Sequence, residues 1–180
     1  RPGSVTLIGP RGQDACLAGL GRALQQHFGV SPGATGWTLP AVEAAVPEAG
    51  ADEIAVAAVG AHMSGLPLNH ELTRLGARFL RATTTAPCYR LYRLAGGPPY
   101  RPGLIRAEAG EAIAIELWAL PRARFGEFMQ GIPQPLGIGT LDLADGSQVK
   151  GFICEPIGTA GAEDVSRFGG WRAYLAAAAH

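Results

Sequence analysis

Lysine is almost missing from this chain. Lys150 is the single one, and every other member of its fifteen Lys and Arg residues is an arginine. A Ser–Ser–Lys amidase set is therefore excluded, because the one lysine falls in a strand-like stretch near the end. Net charge is missing as well, with fifteen acidic residues against fifteen basic ones. Nucleic-acid binding needs a clustered basic excess to neutralise phosphates, so a polyanion partner is excluded. No apolar run approaches the roughly 20 residues that a membrane-spanning helix needs, and the N-terminus lacks a signal-peptide pattern. Cysteine is scarce: Cys16, Cys88 and Cys154 are odd in number and far apart, which suits neither a zinc site, a redox pair nor a disulfide framework. No His/Glu pair stands at a metal-binding spacing. The reading is a reduced, cytoplasmic protein without metal or cofactor. It opens on Arg1 rather than methionine, as a piece of a longer protein does.

What is there divides into a short leader and a longer domain. The stretch "SVTLIGPRGQDACLAGLGRALQQHFGV" predicts a strand over 5–8, a turn, and a helix opening at Gln13 or Asp14. Leu17, Leu20, Leu24 and Phe28 recur in that helix at helical spacing. Residues 31–52, rich in Pro, Gly and Ala, read as a linker. From residue 53 the signals become strand-like. "EIAVAAV", "ARFLRATTTAP", "CYRLYRLAG", "GLIRA", "AIAIELWAL", "GIGTLDL" and "QVKGFICEP" are strands, and "ADGS" between the last two is a hairpin turn. Ile113, Ile115, Leu117 and Ala119 alternate onto one face. Helices are expected in "LNHELTRLG", closed by Gly76, in "PRARFGEFMQGI" after a proline in the first turn, and at the C-terminus. Many strands with scattered helices predict an α+β fold with a curved or barrel-like sheet.

The stretch "AVGAHMSGLPLN" holds the most informative residue. His62 stands in a loop bounded by Gly60 and Gly65, directly after an apolar strand. Glycines let backbone approach a ligand and leave N–H groups pointing outward, and the helix that follows adds its positive end, a combination suited to carboxylate or phosphate. With an ordinary pKa near 6.5, the imidazole can exchange a proton at neutral pH. The competing reading is a core histidine whose nitrogens are satisfied, and the residues alone leave both open. Tyr89 and Lys150 are candidate donors to a second anionic group, with half-buried packing and a solvated lysine as their alternatives. Cys88 and Cys154 read as inert thiols, and "IPQPLGIG" as either a pocket wall or a plain connection.

"GAHMSGLPLN", "APCYRLYRLAG", "PGLIRA", "ELWALP…FGEF", "IPQPLGIGTLDLADGSQVKGFICE" and "FGGWRAYL" together resemble, in order from about Ile54 to Leu175, the C-terminal domain of allophanate hydrolases. The leading segment resembles the last strand and helix of the amidase-signature domain that precedes it in that family. The resemblance implies a γ-glutamylcyclotransferase-like fold, a small mixed β-barrel with a few helices, over 53–180, with 1–30 as the remnant of the amidase half. It implies a cytoplasmic enzyme of urea degradation without cofactor or metal, taking N-carboxycarbamate, the small dianion made by the amidase half, to carbon dioxide and ammonia. The covalently linked amidase domain is then the partner, a homodimer is left open, and first-step activity is absent from this piece. His62 matches the family's catalytic histidine. Gly60, Ala61, Ser64, Gly65, Asn69, Leu136 and Gly137 match the substrate-cradling segments, and Tyr89 and Lys150 complete the expected site. Cyclotransferases carry a glutamate acid/base after the strand written here "AIELWAL", whereas this chain places only Glu127 early in the next helix, so cyclotransferase activity is disfavoured. The remaining alternative is a non-catalytic module that stabilises or oligomerises the amidase half.

Overall fold

The structure, a computed structural model, describes residues 5–9, 14–28 and 46–179, and the chain divides into two units, Arg1–Ala45 and Val46–His180. In the first, α1 (Asp14–Phe28) forms where the leucine periodicity predicts it. Residues 5–9 form no strand. Within the described part of this unit no second strand exists to complete a ladder, and a lone strand leaves its N–H and C=O groups unpaired; Leu7 instead lies over Gly21 of α1. Leu20 and Phe28 stay exposed on the helix, as do Val5 and Ile8 ahead of it. Leu17 and Leu24, the other two residues of that spacing, are half-buried. Most of the expected linker, 31–45, lies outside the described residues.

The second unit is a mixed α+β domain. Eight strands pair as two sheets: β1 (Glu53–Ala58), β2 (Arg78–Thr84), β5 (Ala114–Pro121), β6 (Leu136–Asp142) and β7 (Gln148–Cys154) in the order β2-β5-β1-β7-β6, and β3 (Tyr89–Arg93), β4 (Pro102–Arg106) and β8 (Glu163–Asp164) in the order β4-β3-β8. No ring of strand pairs closes among the described residues. The β6–β7 hairpin turns through Asp145 and Gly146, whose φ of 81° only glycine adopts without strain. Its register runs from Leu136↔Cys154 to Asp142↔Gln148. Between the strands come α2 (Asn69–Thr73), a 3-10 turn Arg122–Arg124, α3 (Phe125–Gln130), α4 (Pro156–Thr159), a 3-10 turn Ser166–Phe168 and α5 (Trp171–Ala178). Pro121, expected inside α3, instead ends β5, and α3 starts four residues later. No described helix is long and apolar enough to cross a membrane.

The core lies between the sheets and under α5, around Val56, Leu91, Leu104, Ile115, Leu141 and Trp171. β1 sits at the centre of the larger sheet, antiparallel to β5 and parallel to β7. Its neighbour β5 is buried on both faces from Ile115 to Leu120, not on the one face its alternation predicts. The second face, carrying Glu116 and Trp118, is covered because Arg172 of α5 and Ser64 reach across to Glu116. The domain also begins earlier than residue 53, since Arg78 donates to the Glu48 carbonyl and Ala49 packs on the core.

Candidate active site

β1 stops at Ala58 because Gly60 must pass over the smaller sheet. A Cβ on Gly60 would lie 2.3 Å from both Cδ and Cγ of Pro102 in β4, so only glycine permits this approach. The chain then turns tightly. Met63 N–H donates to the Gly60 carbonyl, Leu66 N–H to Met63, and Leu68 N–H back to Ala61, at 2.9–3.0 Å, while Gly65 takes the left-handed conformation at φ 73°. Two side chains fasten the loop. Asn69 Nδ2 donates to the His62 carbonyl at 2.9 Å. Glu116 Oε2 accepts from Ser64 N–H at 2.7 Å, from Ser64 Oγ at 3.0 Å and from Trp118 Nε1 at 3.2 Å. The other Glu116 oxygen meets Arg172 Nη1 at 2.8 Å, and Arg172 Nη2 also donates to the Ser64 carbonyl. Burial pushes the Glu116 carboxyl upward, but the Ser64 and Arg172 bonds outweigh it and hold the group below the usual glutamate range.

The result is a loop whose leading N–H groups are left over. Those of Val59, Gly60, Ala61 and His62 have no acceptor among the described residues, although all four residues are buried. Orphaned buried N–H groups are rare in folded proteins. All four residues line one small cavity, with Arg101, Pro102, Leu136 and Phe152 forming the rest of its wall. Its volume of ≈ 20 Å³ has room for one water molecule. A larger ligand fits only if part of this wall rearranges, as interface side chains commonly do on binding.

His62 is 9 % exposed. Its ring stacks on Phe152, with centroids 4.7 Å apart, and meets Phe128 edge-on at 5.7 Å. Nε2 lies 2.8 Å from Glu71 Oε2. An ionised carboxylate only accepts, so Nε2 carries the hydrogen and the tautomer is set by this partner. Nδ1 has no partner among the described residues. Arg101 Nε is the one enclosed side-chain polar atom there without a partner, so Nδ1, equally unpartnered, is reached by solvent. Only one of the two nitrogens thus has a partner among the described residues. Burial lowers its pKa, the Glu71 hydrogen bond and charge raise it in part, and the Arg101 and His70 charges lower it again; the net shift is downward.

Of the site residues expected from sequence, Gly60, Ala61, His62 and Leu136 come together on the cavity. Ser64, Gly65 and Asn69 shape the loop behind it. Gly137 follows Leu136 in β6 without lining the cavity. Tyr89 lies in the smaller sheet, where its hydroxyl accepts from Asp142 N–H at 2.9 Å beneath the Arg106 guanidinium. Lys150 is exposed and donates to Thr140 Oγ1 at 2.9 Å. Neither Tyr89 nor Lys150 reaches the cavity. Glu127 pairs with Arg124 at the surface. Sequence reasoning missed Glu71, Arg101 and Glu116. The last was visible as a carboxylate inside an apolar strand, whereas Glu71 and Arg101 carry no periodic signal. No group of three or more His, Cys, Asp or Glu suited to a metal occurs among the described residues.

A strand-end loop whose N–H groups have no acceptor among the described residues, a histidine held by a carboxylate and an adjoining arginine meet at one cavity of an α+β domain. The profile described as "Allophanate hydrolase C-terminal domain" matches residues 54–176, and the chain belongs to that family. It is 36 % identical over 190 residues to the urea amidolyase of Saccharomyces cerevisiae, with 97 % of this chain covered. Among solved structures it resembles the Kluyveromyces lactis allophanate hydrolase, with TM-score 0.68 and 39 % identity over 70 % of this chain and 21 % of that one. It also resembles a uropathogenic E. coli-specific protein, with TM-score 0.65 and 35 % identity over 69 % of this chain and 96 % of that one. The chain spans a tenth or less of the length of the curated relatives it matches, which are larger proteins joining this domain to others.

Proposed function

We propose that this domain carries out the second half of allophanate breakdown in urea degradation, the decarboxylation of N-carboxycarbamate to carbon dioxide and carbamate. Carbamate then collapses to ammonia and a second carbon dioxide. The observation that carries the reading is the cavity lined by Val59 to His62, a row of residues whose N–H groups have no acceptor among the described residues, together with the open Nδ1 of His62. One substrate carboxylate accepts from that row. The bond between nitrogen and the other carboxyl carbon breaks, its electron pair stays on nitrogen, and a proton from His62 Nδ1 fills that position. Glu71 orients the ring and steadies the imidazolium, and no step calls for a metal or cofactor.

The free site holds His62 neutral, because burial and the Arg101 charge favour the uncharged ring. A bound dianion reverses this balance by favouring the cation beside it, so substrate binding itself loads the proton. The scaffold alternative finds less support. Trp171 and Tyr174 turn the apolar face of α5 into the domain's own core, leaving no broad apolar face there for a partner. A cyclotransferase reading finds no free carboxylate lining the cavity, since Glu71 is held by His62. The unpaired thiols of Cys88 and Cys154 suit the reducing cytoplasm, and the exposed stripe of α1 suits an amidase half to which the domain is joined. The test is an amide-resolved NMR titration with malonate, which mimics the dianion. Shifts concentrated at Val59, Gly60, Ala61 and His62 are expected, and saturable shifts elsewhere overturn the assignment.

A further inference from the structure

Three half-buried arginines occur among the described residues, and two are accounted for. Arg81 pairs with Asp145 at 2.9 Å, and Arg93 lies over the Tyr100 ring at 4.6 Å. Arg101 has neither. No hydrogen bond or ion pair engages its guanidinium among the described residues, and its Nε is enclosed without a partner. Leaving a buried donor on a charged group unsatisfied costs more than leaving it in water. The chain nevertheless holds this one against the same small cavity as Gly60, Ala61 and His62. Pro102, not Arg101, seats the loop against β4.

We propose that Arg101 is the specificity-determining residue of this site, a clamp that receives the second carboxylate of a dicarboxylate whose first carboxylate occupies the Val59–His62 loop. The inference rests on the reading of the cavity as a dianion site and names what distinguishes a dianion from a monoanion there. A guanidinium matches a carboxylate through two parallel N–H donors, a geometry an ammonium cannot reproduce. Arg101 flanks a residue that must itself become cationic, so in the free site its charge opposes protonation of His62. A ligand with two carboxylates relieves both, whereas one with a single carboxylate relieves only the loop.

The experiment compares malonate and acetate binding by calorimetry in the wild-type chain, Arg101→Met and Arg101→Lys, with thermal melts of each free protein. Hydrogen bonds to charged groups are typically strong enough that Arg101→Met is expected to weaken malonate ~10- to 100-fold. Acetate affinity should change less than about twofold, because its loop contacts remain. Arg101→Lys should fall between, keeping the charge but not the fork. The free variants should melt at or above the wild-type temperature, since the change removes a donor that has no partner. Wild-type malonate binding with an unchanged malonate-to-acetate ratio in Arg101→Met overturns the clamp alone. A melting temperature that drops in both variants while that ratio holds makes Arg101 structural and also overturns it. Wild-type protein that binds no malonate overturns the dianion site itself.

Discussion

Glu116→Gln isolates the device that holds the His62 loop in place, and the structure sets its cost. The substitution keeps shape and volume but replaces one acceptor oxygen with a donor. Three donors converge on Oε2, so the amide oxygen takes that side and its NH2 then faces Arg172 Nη1 in place of a carboxylate oxygen 2.8 Å away. Losing a hydrogen bond between charged groups costs about 1.5–3 kcal/mol. The Arg172 side chain is 45 % exposed, so water recovers part of this and the lower end applies. The bonds from Ser64 and Trp118 pass from charged to neutral and weaken by about half, adding about 1 kcal/mol. The sum is about 2–3 kcal/mol at pH 7, which lowers the urea midpoint by roughly 1 M for a domain of this size. The pH dependence has a fixed sign. The folded carboxyl titrates below its ordinary 4.5, so its contribution is complete above 4.5 and disappears as pH falls through the folded value. Urea unfolding of both proteins should therefore show the gap at pH 7 and its narrowing below 4.5. A gap under 1 kcal/mol at pH 7, or one that persists unchanged in acid, refutes the reasoning.

Further outcomes follow from the same geometry. Gly60→Ala forces a methyl into Pro102 and should destabilise the domain by about 1–3 kcal/mol while weakening malonate; a variant with unaltered melting and binding contradicts the close approach. Glu71→Gln removes the charge, and weakens the hydrogen bond, that raise the His62 pKa, so the alkaline limb of the rate profile should move to lower pH. An unmoved limb in a folded variant would show that Glu71 does not tune the imidazole. Lys150→Met should leave malonate affinity unchanged in calorimetry, because its ammonium is turned to Thr140.

The hairpin at Asp145-Gly146 and the loop after β1 were legible in the sequence because glycine and turn residues act locally: each dictates backbone conformation at its own position. Helix α1 was legible from leucine spacing for the same reason. The strand expected over 5–8 was not formed, since an apolar run specifies a strand only where a second one is available to pair. β5 read as one-faced because alternation reports side-chain size and polarity, not what a distant helix will cover. The carboxylate in "IELWAL" was a signal of that cover, visible as the one charge inside an apolar run. Glu71 and Arg101 were beyond reach by any spacing rule. One meets His62 through the turn of the intervening loop, and the other arrives from just before β4, thirty-nine residues after His62. His62 stands on the cavity as expected, whereas the partner of its Nε2 could not be read from the sequence.

The central claim is that His62 Nδ1 delivers the proton to the departing nitrogen, and carbon dioxide release tests it most directly. An amidase generates N-carboxycarbamate in situ, and release is followed faster than spontaneous decay with wild-type chain or His62→Asn. The ring stacks on Phe152, so the variant is measured well below its own melting temperature. General acid groups typically contribute about 10² to 10⁴ in rate, and the account predicts that His62→Asn, folded, loses a factor of that order. A folded His62→Asn that releases carbon dioxide as fast as the wild-type chain would contradict it.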